Sequence, residues 1–162
     1  MLGNMIVVGM ADLNVTRNPG ILTTLGLGSC VGIALYDSIN KVAGLAHIML
    51  PDSTQFSSNL IIAKFADTAT LRLVNDMAKI GALRSSIKAK IAGGAQMFAF
   101  DSKNESMRIG DRNVEAVTKI LRGMNIPLIG QDTGSNYGRT VELSAADGSF
   151  YIKTIGRGNK YI

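Results

Sequence analysis

The sequence predicts an α+β fold: a layered α/β sandwich of mostly antiparallel sheet with two main helices packed on one side. Three observations point to it. Short β-branched and apolar runs recur between turn residues along most of the chain. Only two stretches switch to the apolar spacing of a helix. The composition, 46% apolar and 18% charged over 162 residues, suits one ordinary hydrophobic core, so a single domain over residues 1–162 is expected.

Met5 to Met10 and Ile21 to Leu25 read as strands separated by an Asn18-Pro19-Gly20 turn. Two further apolar runs, Val31 to Tyr36 and Val42 to Met49, flank polar Asp37-Ser38-Ile39-Asn40-Lys41 and read as a hairpin. Ser53 to Asn59, rich in Ser, Thr and Asn, reads as a surface loop of the kind that carries binding residues. From Leu60 to Ile80 the pattern is helical, with Phe65, Ala69, Leu73 and Met77 on one stripe and Gly81 at the end. Lys88 to Ala92 is a short strand running into Gly93-Gly94. A second helix starts near Asp111, with Val114, Val117, Ile120, Leu121 and Met124 inward and Gly123 near its end. Strands at Ile126 to Gly130, Thr140 to Ser144 and Ser149 to Thr154 follow, the last two joined by an Asp147-Gly148 turn. No internal repeat is visible.

Composition excludes several function classes. The chain has one cysteine and one histidine, Cys30 and His47, so neither an intramolecular disulfide nor a zinc site of the usual N/S type is expected. Gly26, Gly28 and Gly32 do not form a dinucleotide fingerprint, because a strand rather than a helix N-terminus follows them. No metal and no cofactor is expected. A net charge of +5 favours acidic partners in general, but 6% aromatics and no tryptophan argue against nucleic-acid binding. The N-terminus lacks a signal-peptide pattern, and no uncharged apolar run reaches about 18 residues. A soluble, cytoplasmic protein without membrane insertion is expected.

Cys30 opens the first hairpin run and His47 lies near the end of the second. With a two-residue loop, Ser38-Ile39, Asp37 faces Asn40 and Cys30 faces His47; directly opposed residues have Cβ atoms roughly 4.5 to 5.5 Å apart. A one-residue slip would send the two side chains to opposite faces. A lone cysteine is ordinarily a small hydrophobe, and a histidine between Ala46 and Ile48 is ordinarily structural. The register and the glycine-rich approach, Gly26-Leu27-Gly28-Ser29, favour a reactive pair in which imidazole takes the thiol proton and later protonates the leaving group. Such a pair predicts a raised thiolate fraction at neutral pH. The glycines let backbone N–H groups near Gly28, Ser29 and Cys30 approach an oxyanion. Two other motifs compete. Gly28-Ser29-Cys30-Val31-Gly32 mimics a nucleophile elbow but lacks the following helix. Asp132-Thr133-Gly134 matches the aspartic-protease tripeptide, against which stands a simple turn closed by the Asp132 side chain.

Thr24-Leu25-Gly26-Leu27-Gly28-Ser29-Cys30, then Ala43-Gly44-Leu45-Ala46-His47-Ile48-Met49-Leu50-Pro51, closely resembles the chemoreceptor glutamine deamidase family, CheD. The likeness continues through Phe65-Ala66-Asp67-Thr68-Ala69, Lys90 to Phe98, Ile109-Gly110-Asp111-Arg112-Asn113 and Asp132-Thr133-Gly134. The resemblance implies a bacterial chemotaxis protein with a fold similar to bacterial toxin deamidases. It implies hydrolysis of glutamine side chains on methyl-accepting chemotaxis receptors to glutamate, with Cys30, His47 and Thr24 as the catalytic set. Thr23 stands beside Thr24, but the spacing to Cys30 selects Thr24. It also implies, in some organisms, a CheC-type phosphatase as partner. Two other readings stay open at this point: a non-catalytic module regulating such a phosphatase, and a receptor methylesterase.

Overall fold

The chain forms three layers: one sheet, a second sheet packed on it, and two helices on the far side of the second sheet. The computed structural model describes residues 4–54, 60–97 and 108–162. The first sheet holds β1 (Met5–Val7), β3 (Ile21–Leu27), β8 (Arg139–Ser144), β9 (Phe150–Thr154) and β10 (Gly158–Tyr161), in that spatial order. The second runs β2 (Asp12–Arg17), β5 (Val42–Ile48), β4 (Val31–Asp37), β6 (Ile87–Gly93) and β7 (Leu128–Thr133). Only β1 with β3 and β6 with β7 pair in parallel among the described strands. The helices are α1 (Ala66–Lys79) and α2 (Ile109–Gly123). The predicted α+β layering, mostly antiparallel with the helices on one side, is what is found.

Two apolar clusters explain the layers. Val31, Ile33 and Leu35 of β4, Ala46 and Ile48 of β5, and Ile87, Ala89 and Ile91 of β6 meet Leu73 and Met77 of α1 and Val117 and Leu121 of α2. The opposite faces of the same strands, through Ala34, Ala43, Leu45 and Ala92, meet Leu22, Leu27, Val141, Leu143, Phe150 and Ile152 of the first sheet. Strands β4 and β5 are therefore buried on both faces, which is why their sequences are continuous apolar runs without alternation. Each fully buried Leu or Ile in these clusters contributes about 1.5 to 3 kcal/mol of transfer free energy.

Several elements differ from the sequence expectation. The hairpin loop is four residues, Ser38 to Lys41, so Asp37 pairs with Val42 and Gly32, not Cys30, lies opposite His47. The Asp37 carboxylate causes this. It accepts N–H bonds from Ile39 and Asn40 and the Asn40 side-chain amide, while Lys41 turns back with φ 52°. The helix expected from Leu60 begins with a 3-10 turn, Ile62–Lys64, after which Phe65 is extended and bridges to Leu50 before α1 starts. Within α2, Ile120 is only half-buried, and Asn113 is buried one turn before Val117. Strand β2 was not expected, although Leu13 and Val15 alternate with polar neighbours; polar β10 carries no such signal. Of the expected Ser53 to Asn59 loop, residues 55–59 lie outside the described residues; Asp52, Ser53 and Thr54 form a turn whose Ser53 bonds the Asp67 carboxylate. No described helix is long and apolar enough to cross a membrane.

The end of β6 fixes the site geometry. Gly93 has φ 111°, and a Cβ there would lie 2.3 Å from the Cys30 carbonyl oxygen. Gly93→Ala is therefore expected to cost more than about 1 kcal/mol, since the native conformation excludes an L side chain and the neighbour is backbone. Urea unfolding checks this, and an unchanged midpoint would mean the close approach is not rigid.

Candidate active site

The loop lengthening moves the hairpin register by two residues, and a shift of two preserves the face. His47 lies opposite Gly32, and Cys30, two residues before Gly32 and just beyond the last ladder pair of Val31 with Ile48, shares its face between the sheets. His47 is 1% exposed and Cys30 8%. His47 sits near the end of β5, paired on both sides with Gly32 of β4 and Asp12 of β2, and its carbonyl accepts the N–H of Ala11 at 3.0 Å. The imidazole is thus carried on a rigid strand.

Thr24 reaches His47 from the other sheet. It ends the regular pairing of β3 with β8, just before a bulge between Thr24 and Leu27 in which Gly26 adopts φ 70°. Its Oγ1 is 2.7 Å from His47 Nδ1 and 2.7 Å from the carbonyl oxygen of Val8. A carbonyl can only accept, and a hydroxyl has one proton, so that proton goes to Val8. Oγ1 must then accept from His47, which fixes the tautomer with the proton on Nδ1 and the lone pair on Nε2. Nε2 is buried with no hydrogen-bond partner among the described residues. Thr23 points away and donates to the Val141 carbonyl at 2.8 Å.

The segment before Cys30 is held by its carbonyls. Gly28 C=O accepts from Ala95 N–H, Ser29 C=O from the Asn113 side chain and Cys30 C=O from Gly94 N–H, at 2.8, 2.9 and 2.8 Å. In a trans peptide the N–H points opposite to the preceding C=O, so the Ser29 and Cys30 N–H groups are turned away from these anchors. Among the hydrogen bonds of the described residues Ser29 N–H donates to no other group and Cys30 N–H only to its own thiol, whereas Gly28 N–H bonds the Gly26 carbonyl at 3.0 Å.

Burial dominates the electrostatics. Desolvation pushes the Cys30 thiol above its ordinary pKa, opposed in part by its own backbone N–H, and desolvation holds His47 below the ordinary imidazole value. Both shifts favour the neutral forms near pH 7. Burial thus argues against the raised thiolate fraction expected from the sequence, because it disfavours both the thiolate and the imidazolium that would stabilise it. Elsewhere, Asp132 lies in β7 rather than in a turn. Its carboxylate pairs with Arg139, whose side chain is fully buried, at 3.0 Å and with Lys160 at 3.1 Å. That engagement removes it as a protease-type acid. No group of three metal-ligating side chains occurs among the described residues. The sequence reading missed the Val8 carbonyl, which has no side-chain signal, and Asn113 as a contact. Asn113 could have been noticed as a polar residue at i−4 and i−8 from Val117 and Leu121.

The fold and this cluster define a two-sheet α+β protein with a cysteine and a threonine-held histidine between the sheets. Residues 49–154 match the family model described as CheD chemotactic sensory transduction. The chain is 55% identical over 161 residues to a probable chemoreceptor glutamine deamidase CheD of Lachnoclostridium phytofermentans, covering 99% of this chain and 100% of that one. It is 53% identical over 162 residues to the protein of the same name from Caldanaerobacter subterraneus subsp. tengcongensis, covering all of both. A Clostridium botulinum protein of that name is 54% identical over 157 residues, 97% of each chain. Among solved structures, the Bacillus licheniformis hypothetical protein YfiH aligns over 76% of this chain and 51% of that one, at 16% identity and a TM-score of 0.46. The chain belongs to the CheD family of chemoreceptor glutamine deamidases.

The neutral pair has a direct test in the isolated chain. Iodoacetamide is expected to label native Cys30 more slowly than a model thiol at the same pH, with a midpoint displaced to higher pH. Labelling as fast as in the urea-unfolded chain would contradict the burial and the raised pKa.

Proposed function

We propose that this protein hydrolyses glutamine side chains of methyl-accepting chemotaxis receptors to glutamate, with Cys30 as nucleophile, His47 as general base and acid, and Thr24 holding His47. The observation that carries the reading is the Thr24 hydroxyl shared between Val8 C=O and His47 Nδ1, which leaves an unpartnered Nε2 on the face that carries the one thiol. The relatives' names supply the carboxamide substrate.

Because both groups rest neutral, proton transfer accompanies attack. Cys30 Sγ bonds to the carboxamide carbon as its proton passes to His47 Nε2, giving a tetrahedral oxyanion met by the Ser29 and Cys30 N–H groups. The C–N bond then breaks, and the Nε2 proton leaves with nitrogen as ammonia. Water attacks the thioester, giving its proton to Nε2; the C–S bond breaks, the thiol recovers that proton, and glutamate remains. A CheC-type phosphatase is included as a partner on the resemblance alone, and the cytoplasm as the place of action follows from a receptor cytoplasmic domain as substrate.

Mass spectrometry of a receptor cytoplasmic fragment tests the reading: deamidation adds about 1 Da, ester hydrolysis removes about 14 Da, and a binding module changes nothing. Cys30→Ala should abolish the gain while the protein stays folded. His47→Ala should be nearly as damaging, and the double variant no worse than the worse single, because members of one catalytic unit are not additive. Thr24→Ala should be milder and Thr23→Ala close to wild type. Multiplying losses for Cys30 and His47, or reversal of the two threonines, would sink the assignment.

A further inference from the structure

We propose that Asn113 is a positioning residue for this reaction, its side-chain amide clamping the Cys30 segment to the His47 strand at the point where the two part; the inference rests on the deamidase reading above. Past Val31 and Ile48 the ladder between β4 and β5 stops. Beyond it the Met49 N–H turns to the Lys64 carbonyl and the Cys30 carbonyl to Gly94 N–H, so no backbone bond joins residues 30 and 49. Asn113 Nδ2 supplies the missing link, donating to Ser29 C=O at 2.9 Å and to Met49 C=O at 3.0 Å. One carbonyl precedes Cys30 directly and the other lies two residues beyond His47. The amide therefore ties the nucleophile's segment to that of the base, where a small displacement would change their approach.

Three features give this bond a role beyond packing. First, Asn113 is completely buried, and its Oδ1 has no hydrogen-bond partner among the described residues. A buried acceptor without a partner is costly, and a leucine would fill the apolar stripe of α2 without that cost. What the asparagine supplies in return is two donors. Second, the peptide whose carbonyl it holds is the one that carries the Cys30 N–H. Fixing Ser29 C=O against α2 turns that N–H the opposite way, toward the proposed oxyanion. Third, α2 is itself seated on the same strand end: a Cβ at Gly110 would lie 2.5 Å from the Ala95 carbonyl and 2.6 Å from that of Gly94. The helix thus delivers Asn113 from a fixed position.

The test uses the full chain, with the receptor fragment as substrate and iodoacetamide as a receptor-independent probe. Asn113→Leu should keep the fold, lower kcat by about 10²-fold and leave KM within about threefold, the signature of lost alignment rather than lost binding. It should also raise the native-state labelling rate of Cys30 as the segment loosens. Asn113→Asp guards against misfolding of the leucine variant. Ionised, it repels both carbonyls; protonated, it can donate to one, so its activity relative to wild type should recover as pH falls. Wild-type kcat in Asn113→Leu, unchanged labelling, or an Asn113→Asp profile parallel to wild type would overturn the proposal. If wild type itself gave no mass gain, the deamidase reading would fail by itself, and the labelling arm would still decide whether Asn113 holds the Cys30 segment.

Discussion

An imidazole buried between two sheets must have its N–H satisfied, and here that requirement is met by one hydroxyl with one proton. Thr24 gives its proton to Val8 and so can only accept from His47. The tautomer follows from this count, and with it the side of the ring that can act as a base. The rest of the architecture serves that contact. Val8, just past β1, brings its carbonyl, the bulge after Thr24 ends the ladder beside it, and β5, paired on both sides, carries His47.

The same burial that orders the site suppresses its charges. A thiolate and imidazolium resting pair would need solvent or compensating dipoles, and the buried thiol has chiefly its own N–H. In the proposed mechanism a neutral pair couples proton transfer to bond formation, so that the nucleophile would be generated only when a carboxamide is present to receive it. Alignment then matters more than acidity. The carbonyl anchors at Ala95, Asn113 and Gly94 and the close packing at Gly93 supply it by holding the backbone of residues 28–30 from behind.

Much of this was legible in the sequence, for physical reasons that can be named. The double-sided burial of β4 and β5 shows as unbroken apolar runs, and Ala69, Leu73 and Met77 of α1 are buried as their spacing requires, with Phe65 buried just before the helix. Cys30 and His47 share a face although the hairpin loop was misjudged, because the error was an even number of residues. The loop itself was not legible, since the Asp37 carboxylate that closes it also accepts the Leu83 N–H, 46 residues away. Nor were the thiol's raised pKa and the link through Asn113, which arise where β3, β6 and α2 converge on the hairpin end. Strand β10 has no apolar periodicity and forms by pairing with β9 alone.

The central claim is the tautomer of His47, and the chain's single histidine makes it measurable without assignment. Long-range proton–nitrogen NMR of the 15N-labelled protein at neutral pH should give one protonated ring nitrogen, Nδ1, and one unprotonated, Nε2. A proton on Nε2, or an imidazolium with both nitrogens protonated, would contradict the account.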